Sequence, residues 1–413
     1  MRGWRQGKVL ASFSHTRLDF MDIPAALVCG ESHTADPALS VFRLPQAPRF
    51  LFLLLFPFAL PAQIPPLQPP PLQPPSGGEV CSVEKSCAEL APGMIRSALG
   101  PSPLEANLHH LTDLNRAHKA SSPRASHTIA WAVEALREAG VDEVHTEKFS
   151  TPTGSGKGRT PGKSASGPVE GENVVAEIRG REKPAEFLLL GAHLDSSRIG
   201  AGALADASNA ALVIDAARVV HASGSIPRRS IRFVLFTGTS KGMLSSWAYA
   251  RAHRADLDNM AAAIIFDSGD TPVVGYSLGG RSDTLSAVRE TLEPLRALDV
   301  NEFTPDESVA PDNLDFLLEG VPTLTTHGAP AIPAGNDRSA SDPLYKVNIA
   351  SLKHNVAIAA VTSYALADAA ERVGPRLTRA QIEQSLEESG LEHEMKLKGL
   401  WSMWEAGERG RQP

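Results

Sequence analysis

Short, continuous apolar runs alternate with longer amphipathic segments over most of this chain. The runs Phe187–Ala192 (FLLLGA) and Phe233–Phe236 (FVLF) contain no alternating polar residues. A strand of this kind is buried on both faces, as in a mostly parallel sheet that lies between two layers of helices. The pattern therefore predicts an α/β fold with a mostly parallel central sheet sandwiched by helices.

Predicted strands and helices follow one another in this part of the chain. The apolar runs predict strands at Val144–Phe149, Asn173–Ile178, Phe187–Ala192, Ile231–Thr237, Ala262–Phe266, Thr271–Tyr276 and Pro322–Thr325. The amphipathic segments predict helices at Arg124–Ala139, Ser208–Ala222, Leu244–His253, Arg281–Leu292 and Ile349–Ala370. In sheets of this type the ligand lies at the carboxyl ends of the strands, so functional side chains are expected there.

Composition divides the 413 residues into four parts. These are an N-terminal extension with a signal-peptide-like segment (1–62), a proline-rich linker (63–80), the α/β domain (81–375) and a helical tail (376–413). The linker contains IPPLQPPPLQPPS, which favours an extended chain without a core of its own. The tail is predicted to be amphipathic and helical, with Trp401 and Trp404 packed on the domain.

The apolar run Phe50–Leu60 has the features of a signal peptide. Arg49 precedes it and the small residue Ala62 follows it. With its eleven positions the run is far shorter than the ~20 residues of a membrane-spanning helix, so no stable membrane span is expected. We therefore expect a secreted or periplasmic protein whose mature chain begins near Gln63.

The net charge and the cysteine content exclude few classes of function. A net charge of −7 gives no reason to expect nucleic acid or anionic lipid as a partner. The three cysteines lack zinc-site spacing, and in an exported chain Cys81 and Cys87 form a disulfide or remain free thiols. The sequence leaves the oligomeric state open.

Acidic and histidine side chains follow the predicted strands at several points. His193 and Asp195 form an H-x-D motif at the end of FLLLGA, and the segment GALADAS then introduces Asp206 before a helix. Asp267 follows another strand. Two further segments, TGTSKG after a strand and NDRSASDPLYKV near the end of the domain, complete the series. The H-x-D motif alone is a weak signal, and its meaning depends on this series of segments.

The order and spacing of these segments resemble the di-zinc exopeptidase family, which includes bacterial aminopeptidases and carboxypeptidase Q. Glutaminyl cyclases share its fold. The resemblance covers roughly residues 105–370 and includes GVPTL at Gly320–Leu324. It implies a peptidase site with two zinc ions bridged by one carboxylate, and a glutamate that takes a proton from the bridging water.

The resemblance assigns part of one zinc site to residues that this chain keeps. His193 matches the first histidine ligand, and Asp267 matches a later aspartate ligand. Asp195 matches the aspartate that orients the histidine. Asp206 is kept beside the bridging position, which is itself Ala205.

The family's remaining residues are replaced here. Its Glu-Glu pair, base and ligand, falls on Thr239 and Ser240, and its final histidine falls on Arg338. Alanine offers no donor, serine is a poor neutral ligand, and arginine is a permanent cation. The second zinc site is therefore expected to be lost, and Arg338 is expected to supply positive charge by pairing with Asp206 or another carboxylate.

Two interpretations remain for the residues that are kept. His193, Asp267 and Asp206 could hold a single residual zinc ion, or they could form a metal-free buried polar cluster with Asp195 and Arg338. Other residues are weaker candidates for the missing base or for a nucleophile. Asp337 and His327 lie near the last segment, and a Ser240–His193 dyad would lack the strained nucleophile turn of a serine hydrolase.

Three functional hypotheses follow. The first is a secreted pseudopeptidase that binds a peptide-like small ligand in the former active-site cleft. The second is an active zinc exopeptidase, releasing terminal residues with rearranged ligands. The third is a structural or interaction domain whose cleft is closed.

Overall fold

The computed structural model describes residues 85–115, 123–141, 143–151, 169–195, 206–238, 243–306, 311–329 and 347–412. All of them belong to the second of two compact units, Glu79–Pro413. The signal-like run Phe50–Leu60, the linker 63–80 and Cys81 lie outside the described residues. The predictions made for them keep the status of predictions.

An eight-stranded sheet forms the centre of the domain. Its strands are β1 (Glu143–Thr151), β2 (Val169–Ile178), β3 (Lys183–His193), β4 (Arg229–Phe236), β5 (Met260–Ile265), β6 (Val273–Ser277), β7 (Glu302–Thr304) and β8 (Thr323–Gly328). They are arranged in the order β1-β2-β4-β3-β5-β8-β6-β7. The central strands β4, β3, β5 and β8 are parallel, as are β6 and β7, and the remaining pairs are antiparallel. The predicted α/β class is confirmed.

Helices surround this sheet. In chain order they are α1 (Cys87–Leu99), α2 (Leu104–Asn115), α3 (Pro123–Glu138), α4 (Ser208–Ala222), α5 (Leu244–Ala252), α6 (Leu285–Thr291), α7 (Leu314–Leu318), α8 (Ile349–Asp368), α9 (Arg379–Ser389), α10 (Leu391–Lys398) and α11 (Trp401–Glu405). Among the described residues no helix is long and apolar enough to cross a bilayer.

Strand β3 shows why its sequence is apolar without alternation. Leu188 and Leu190 pack into the core that contains helices α4 and α8, whereas Phe187 and Leu189 pack into a second core with residues of α5 and α7. Successive side chains of a strand point to opposite faces, so a strand covered on both faces must be apolar at every position. The sandwich predicted from FLLLGA is thus present.

Two local predictions differ from the structure. Arg281–Leu292, predicted as one helix, is a 3-10 turn at Ser282–Thr284 followed by α6. The tail, predicted as one helical segment, is divided into three short helices. Gly390 and Gly399 separate these helices and adopt left-handed backbone conformations, with φ of 78° and 73°, which end a helix at little cost only in glycine.

The tail is packed firmly on the domain. Trp404 is fully buried in a cluster with Leu314, Leu317 and Leu318, and the Arg379 guanidinium lies 3.9 Å from the centre of its ring. Trp401 packs against the same cluster and is partly buried. The packing that the sequence predicts for both tryptophans is therefore confirmed.

The cysteine at the start of α1 is a free thiol in this structure. Burial, followed by the charge of Asp368, raises the pKa of Cys87 to about 12. A thiol held in its neutral form is a poor nucleophile and a poor metal ligand, so Cys87 has a packing role here.

A buried ion pair fastens the end of the tail to α7. Arg409 donates to both carboxylate oxygens of Asp315, at 2.6 and 2.9 Å, and both side chains are 1% exposed. Asp315 also accepts a 2.7 Å hydrogen bond from Ser246 of α5. The pair therefore connects the tail with two helices of the domain.

We predict that Arg409→Ala lowers the free energy of unfolding by roughly 3–5 kcal/mol, because it leaves the buried Asp315 carboxylate without its cation. Arg137→Ala serves as the control, since Arg137 forms an exposed pair with Glu134 worth less than about 1 kcal/mol. Urea unfolding measures both variants. Equal, small effects would contradict the inferred role of the buried pair.

Candidate metal and ligand site

Three of the predicted site residues meet where the parallel strands end. His193 is the last residue of β3, and Asp267 follows the end of the neighbouring parallel strand β5 by two residues. Asp206 lies two residues before α4, which follows β3 along the chain. His193 and Asp206 are buried. The ends of β3 and β5, together with the segment that leads into α4, therefore bring the imidazole and two carboxylates together.

The two nitrogens of His193 contact different groups. Nε2 lies 3.1 Å from Asp267 Oδ1, whereas Nδ1 lies 3.5 Å from Asp206 Oδ1. Nδ1 also lies 3.3 Å from the main-chain oxygen of Asp195, so this aspartate contacts the ring through its carbonyl group. The imidazole is thereby held between two carboxylates, one at each edge.

Oxygen atoms lie at both nitrogens of the His193 ring, an arrangement that favours the protonated, positively charged imidazole. A neutral imidazole has one N–H and one lone pair, so it can donate to only one of its neighbours. Burial lowers the pKa of His193, but the hydrogen bond with Asp267 and the charges of Asp206, Asp267 and Asp312 outweigh burial and raise the pKa to about 10. In a metal-free protein this histidine is consequently the cation of the cluster.

A zinc ion fits one edge of the ring. Zinc lies about 2.0–2.2 Å from nitrogen and oxygen ligands, so two ligand atoms of a tetrahedral site are about 3.3 Å apart. His193 Nε2 and Asp267 Oδ1, 3.1 Å apart, match that separation. With zinc at Nε2, Nδ1 would carry the proton and donate to its oxygen neighbours, an arrangement typical of zinc-bound histidines.

Asp206 is placed to orient the ring rather than to bind the same ion, because it faces the opposite nitrogen. The cluster thus offers zinc two ligands, whereas a catalytic zinc site has three protein ligands. In the described part of the chain, no three His, Cys, Asp or Glu side chains form a group able to hold a metal. Among the described residues, zinc would thus be held by His193 and Asp267.

Two residues that the sequence did not single out complete the surroundings. Asp312, in the 3-10 turn Pro311–Asn313, is almost fully buried, and its charge acts on His193. Asn209, in the first turn of α4, accepts a 3.0 Å hydrogen bond from the main chain of Gly269. It fixes the segment after Asp267 relative to the helix that follows Asp206. The signal for Asp312 is weak, because it precedes a short helix instead of following a strand.

The replaced positions of the family lie outside the described residues. They are Ala205, Thr239, Ser240 and Arg338, and the candidate base Asp337 also lies outside the described residues. The pairing of Arg338 with a carboxylate therefore stays a prediction.

His327 lies near the end of β8, which pairs with β5. It is half-buried, and its Nδ1 atom is buried without a hydrogen-bond partner among the described residues. The contacts of the His193 cluster are made by aspartates, so nothing in its geometry assigns His327 the role of a base.

Comparison with known proteins gives one consistent family. The family model for peptidase family M28 matches residues 173–362. Carboxypeptidase Q from Rattus norvegicus is 29% identical over 205 residues, which cover 48% of this chain and 42% of that protein. Carboxypeptidase Q from Mus musculus is 31% identical over 152 residues, covering 36% of this chain and 32% of that protein. The matched part thus spans less than half the length of these relatives.

Solved structures share the fold. A peptidase M28 precursor from Shewanella amazonensis SB2B superposes with a TM-score of 0.64 at 19% identity, covering 71% of this chain and 99% of that one. An aminopeptidase from Aneurinibacillus sp. strain AM-1 gives a TM-score of 0.53 at 14% identity, covering 68% of this chain and 98% of that one. At these identities the likeness concerns the fold alone.

We predict that His193→Gln destabilises the metal-free protein by roughly 3 kcal/mol, because it removes the cation that contacts both buried carboxylates. His327→Gln is the control, since its buried nitrogen loses no hydrogen bond, and we expect less than about 1 kcal/mol. Unfolding by urea in the presence of a chelator measures both. A His193→Gln protein as stable as the control would refute the charge balance described above.

Proposed function

We propose that this chain, whose residues 173–362 match the model of peptidase family M28, is a catalytically impaired member of the zinc exopeptidase family that binds a peptide-like small ligand. The observation that carries this proposal is the set of residues at the family's catalytic positions. Thr239 and Ser240 replace the glutamate pair, and Ala205 replaces the bridging aspartate. The ligand would lie at the carboxyl edge of the sheet, beside His193.

The loss of a general base limits the chemistry of this site. A positioned base typically contributes about 10²–10⁴-fold to the rate, and threonine and serine hydroxyls cannot take up a proton near neutral pH. Asp206 contacts the imidazole, and Asp267 contacts its other edge. Both carboxylates are therefore engaged in holding His193 rather than directed at an attacking water.

Zinc remains a possible cofactor at one position, held by His193 and Asp267. A bound zinc ion would polarise a ligand carbonyl group. The residues of this chain would contribute the orientation of the imidazole through Asp206 and the main-chain oxygen of Asp195. Without metal, the protonated imidazole would supply a positive charge at the same place, with its two N–H groups directed at Asp267 and Asp206.

Arg338 supplies the positive charge that the second zinc would otherwise provide. It stands where the family has its last histidine, and buried carboxylates close to one another need a compensating cation. Its partner in this proposal is Asp206 or another carboxylate of the cluster. The motivation is the sequence together with the concentration of acidic residues around His193.

A second candidate function is an active exopeptidase with one zinc ion. It is favoured by the 3.1 Å separation between His193 Nε2 and Asp267 Oδ1, which suits two ligands of one ion. This candidate needs a third ligand and a base from outside the described residues. The replacement of Thr239, Ser240 and Ala205 makes it the weaker of the two.

Export is part of the proposal as well. The apolar run Phe50–Leu60, with Arg49 before it and Ala62 after it, supports a secreted or periplasmic location.

We predict that the purified chain, supplied with zinc, hydrolyses dipeptides and aminoacyl anilides no faster than a protein-free blank. The single variant Arg338→His is the control and is expected to stay inactive, because it restores no carboxylate. The combined variant Ala205→Asp, Thr239→Glu, Ser240→Glu and Arg338→His restores every replaced family residue and is expected to gain zinc-dependent turnover. Chelator-sensitive turnover by the unmodified chain, near the ~10 s⁻¹ of a typical enzyme, would refute the proposal and favour the second candidate.

A further inference from the structure

The C-terminal tail forms one wall of a small apolar pocket. Five apolar side chains line it, and they are Met243, Leu314, Leu391, Met395 and Leu400. The first precedes α5, the second begins α7, and the other three belong to the tail. The pocket has a volume of about 170 Å³.

Topology places this pocket at the same edge of the sheet as His193. Strand β4 is parallel to β3, so α5, which follows β4, begins at the carboxyl edge. Strand β8 is also parallel to the central strands, so the chain before α7 approaches from that edge. Asp312, two residues before Leu314, acts electrostatically on His193, which supports this placement.

The tail is held at this edge by specific contacts. Arg409 donates a 3.2 Å hydrogen bond to the main-chain oxygen of Met243, in addition to its pair with Asp315. Met243 has a left-handed backbone conformation, with φ of 57°, which is uncommon for a residue with a side chain. The bond from Arg409 therefore fixes the main chain of one of the residues that line the pocket.

The pocket suits one aliphatic or aromatic side chain. An apolar cavity of about 150 Å³ stays dry and binds a molecule the size of benzene. Leucine and methionine side chains line most of this one, and methionine adapts to the shape of a bound apolar group. The remaining lining residues, Glu394 and Lys398, pair with each other and are 52% and 57% exposed, so charge lies at the mouth of the pocket.

We propose that this pocket receives the apolar side chain of the peptide-like ligand whose main chain lies beside His193. The assignment rests on the proposed function and adds to it a ligand class, peptides or amino-acid derivatives with a leucine-sized or phenylalanine-sized side chain. It also makes Met395 and Leu400 of the tail specificity-determining residues. The tail thereby has a role in recognition beyond its contribution to stability.

Methionine methyl NMR tests the proposal directly. The chain has seven methionines, of which Met243 and Met395 line the pocket. Met94 in α1 and Met260, the first residue of β5 at the opposite edge of the sheet, are buried internal controls. The probes are Leu-Gly and Gly-Leu, with Gly-Gly as the matched ligand that lacks an apolar side chain, and benzene as a ligand that lacks a peptide group.

We predict that one or both leucine dipeptides shift the Met243 and Met395 signals saturably and bind about tenfold or more tightly than Gly-Gly, as burial of a leucine side chain implies. The Met94 and Met260 signals stay in place. Leu400→Trp, which fills the pocket, abolishes these shifts. Leu397→Trp, on the exposed side of α10 at 68% exposure, preserves them.

The possible failures are distinguishable. Dipeptides that bind equally well with and without leucine, with Met243 and Met395 unmoved, overturn the pocket assignment and leave the proposed function intact. If benzene shifts both signals while no dipeptide binds, the proposed function fails, and the assigned ligand class fails with it. The wild-type comparison alone decides between these outcomes should Leu400→Trp not fold.

Discussion

Three aspartates surround His193 at the carboxyl edge of the sheet. Their negative charge must be balanced by a positive charge for this part of the fold to be stable. Asp267 and Asp206 contact opposite nitrogens of His193, and the Asp312 carboxylate acts on it from a neighbouring turn. Carboxylates this close and this buried cannot all stay ionised without a cation. A proton on His193 and a metal at Nε2 are two ways to meet the same requirement. The proposed role of Arg338 is a third contribution to it.

The fold determines this cluster before any ligand is bound. Parallel strands β3 and β5 end side by side, so His193, the last residue of β3, lies close to Asp267, two residues beyond the end of β5. The tail is fastened to α7 through the buried pair of Arg409 and Asp315, on the side of the sheet that α5 and α7 cover. In the proposed function the catalytic carboxylates are replaced, but the sheet and the tail are kept. The polar cluster around His193 and the apolar pocket lined by the tail are then both retained. Ligand binding can therefore outlast catalysis.

Much of this arrangement could be predicted from the sequence, because apolar runs and strand ends are local signals. The predicted helix Ser208–Ala222 has the bounds of α4, and the run FLLLGA ends at the predicted edge. Non-local geometry could not be predicted. The sequence does not reveal that Asp206 faces Nδ1, nor that Asp312, twenty-five residues or more from any predicted site aspartate, acts on His193, because both depend on how distant segments pack. Gly390 and Gly399, which divide the tail into three helices, are local signals. The amphipathic pattern of the tail nevertheless led to the prediction of a single helical segment.

The central proposal is that His193 and Asp267 offer zinc one incomplete position at this edge of the sheet, in place of the two complete positions that the family resemblance implies. Zinc analysis after equilibrium dialysis against a slight excess of the metal tests it most directly, with His193→Gln as the control that removes the imidazole ligand of the described cluster. The account predicts at most one weakly held zinc ion per wild-type chain, lost on further dialysis, and none in the variant. Two tightly bound zinc ions per wild-type chain would contradict it.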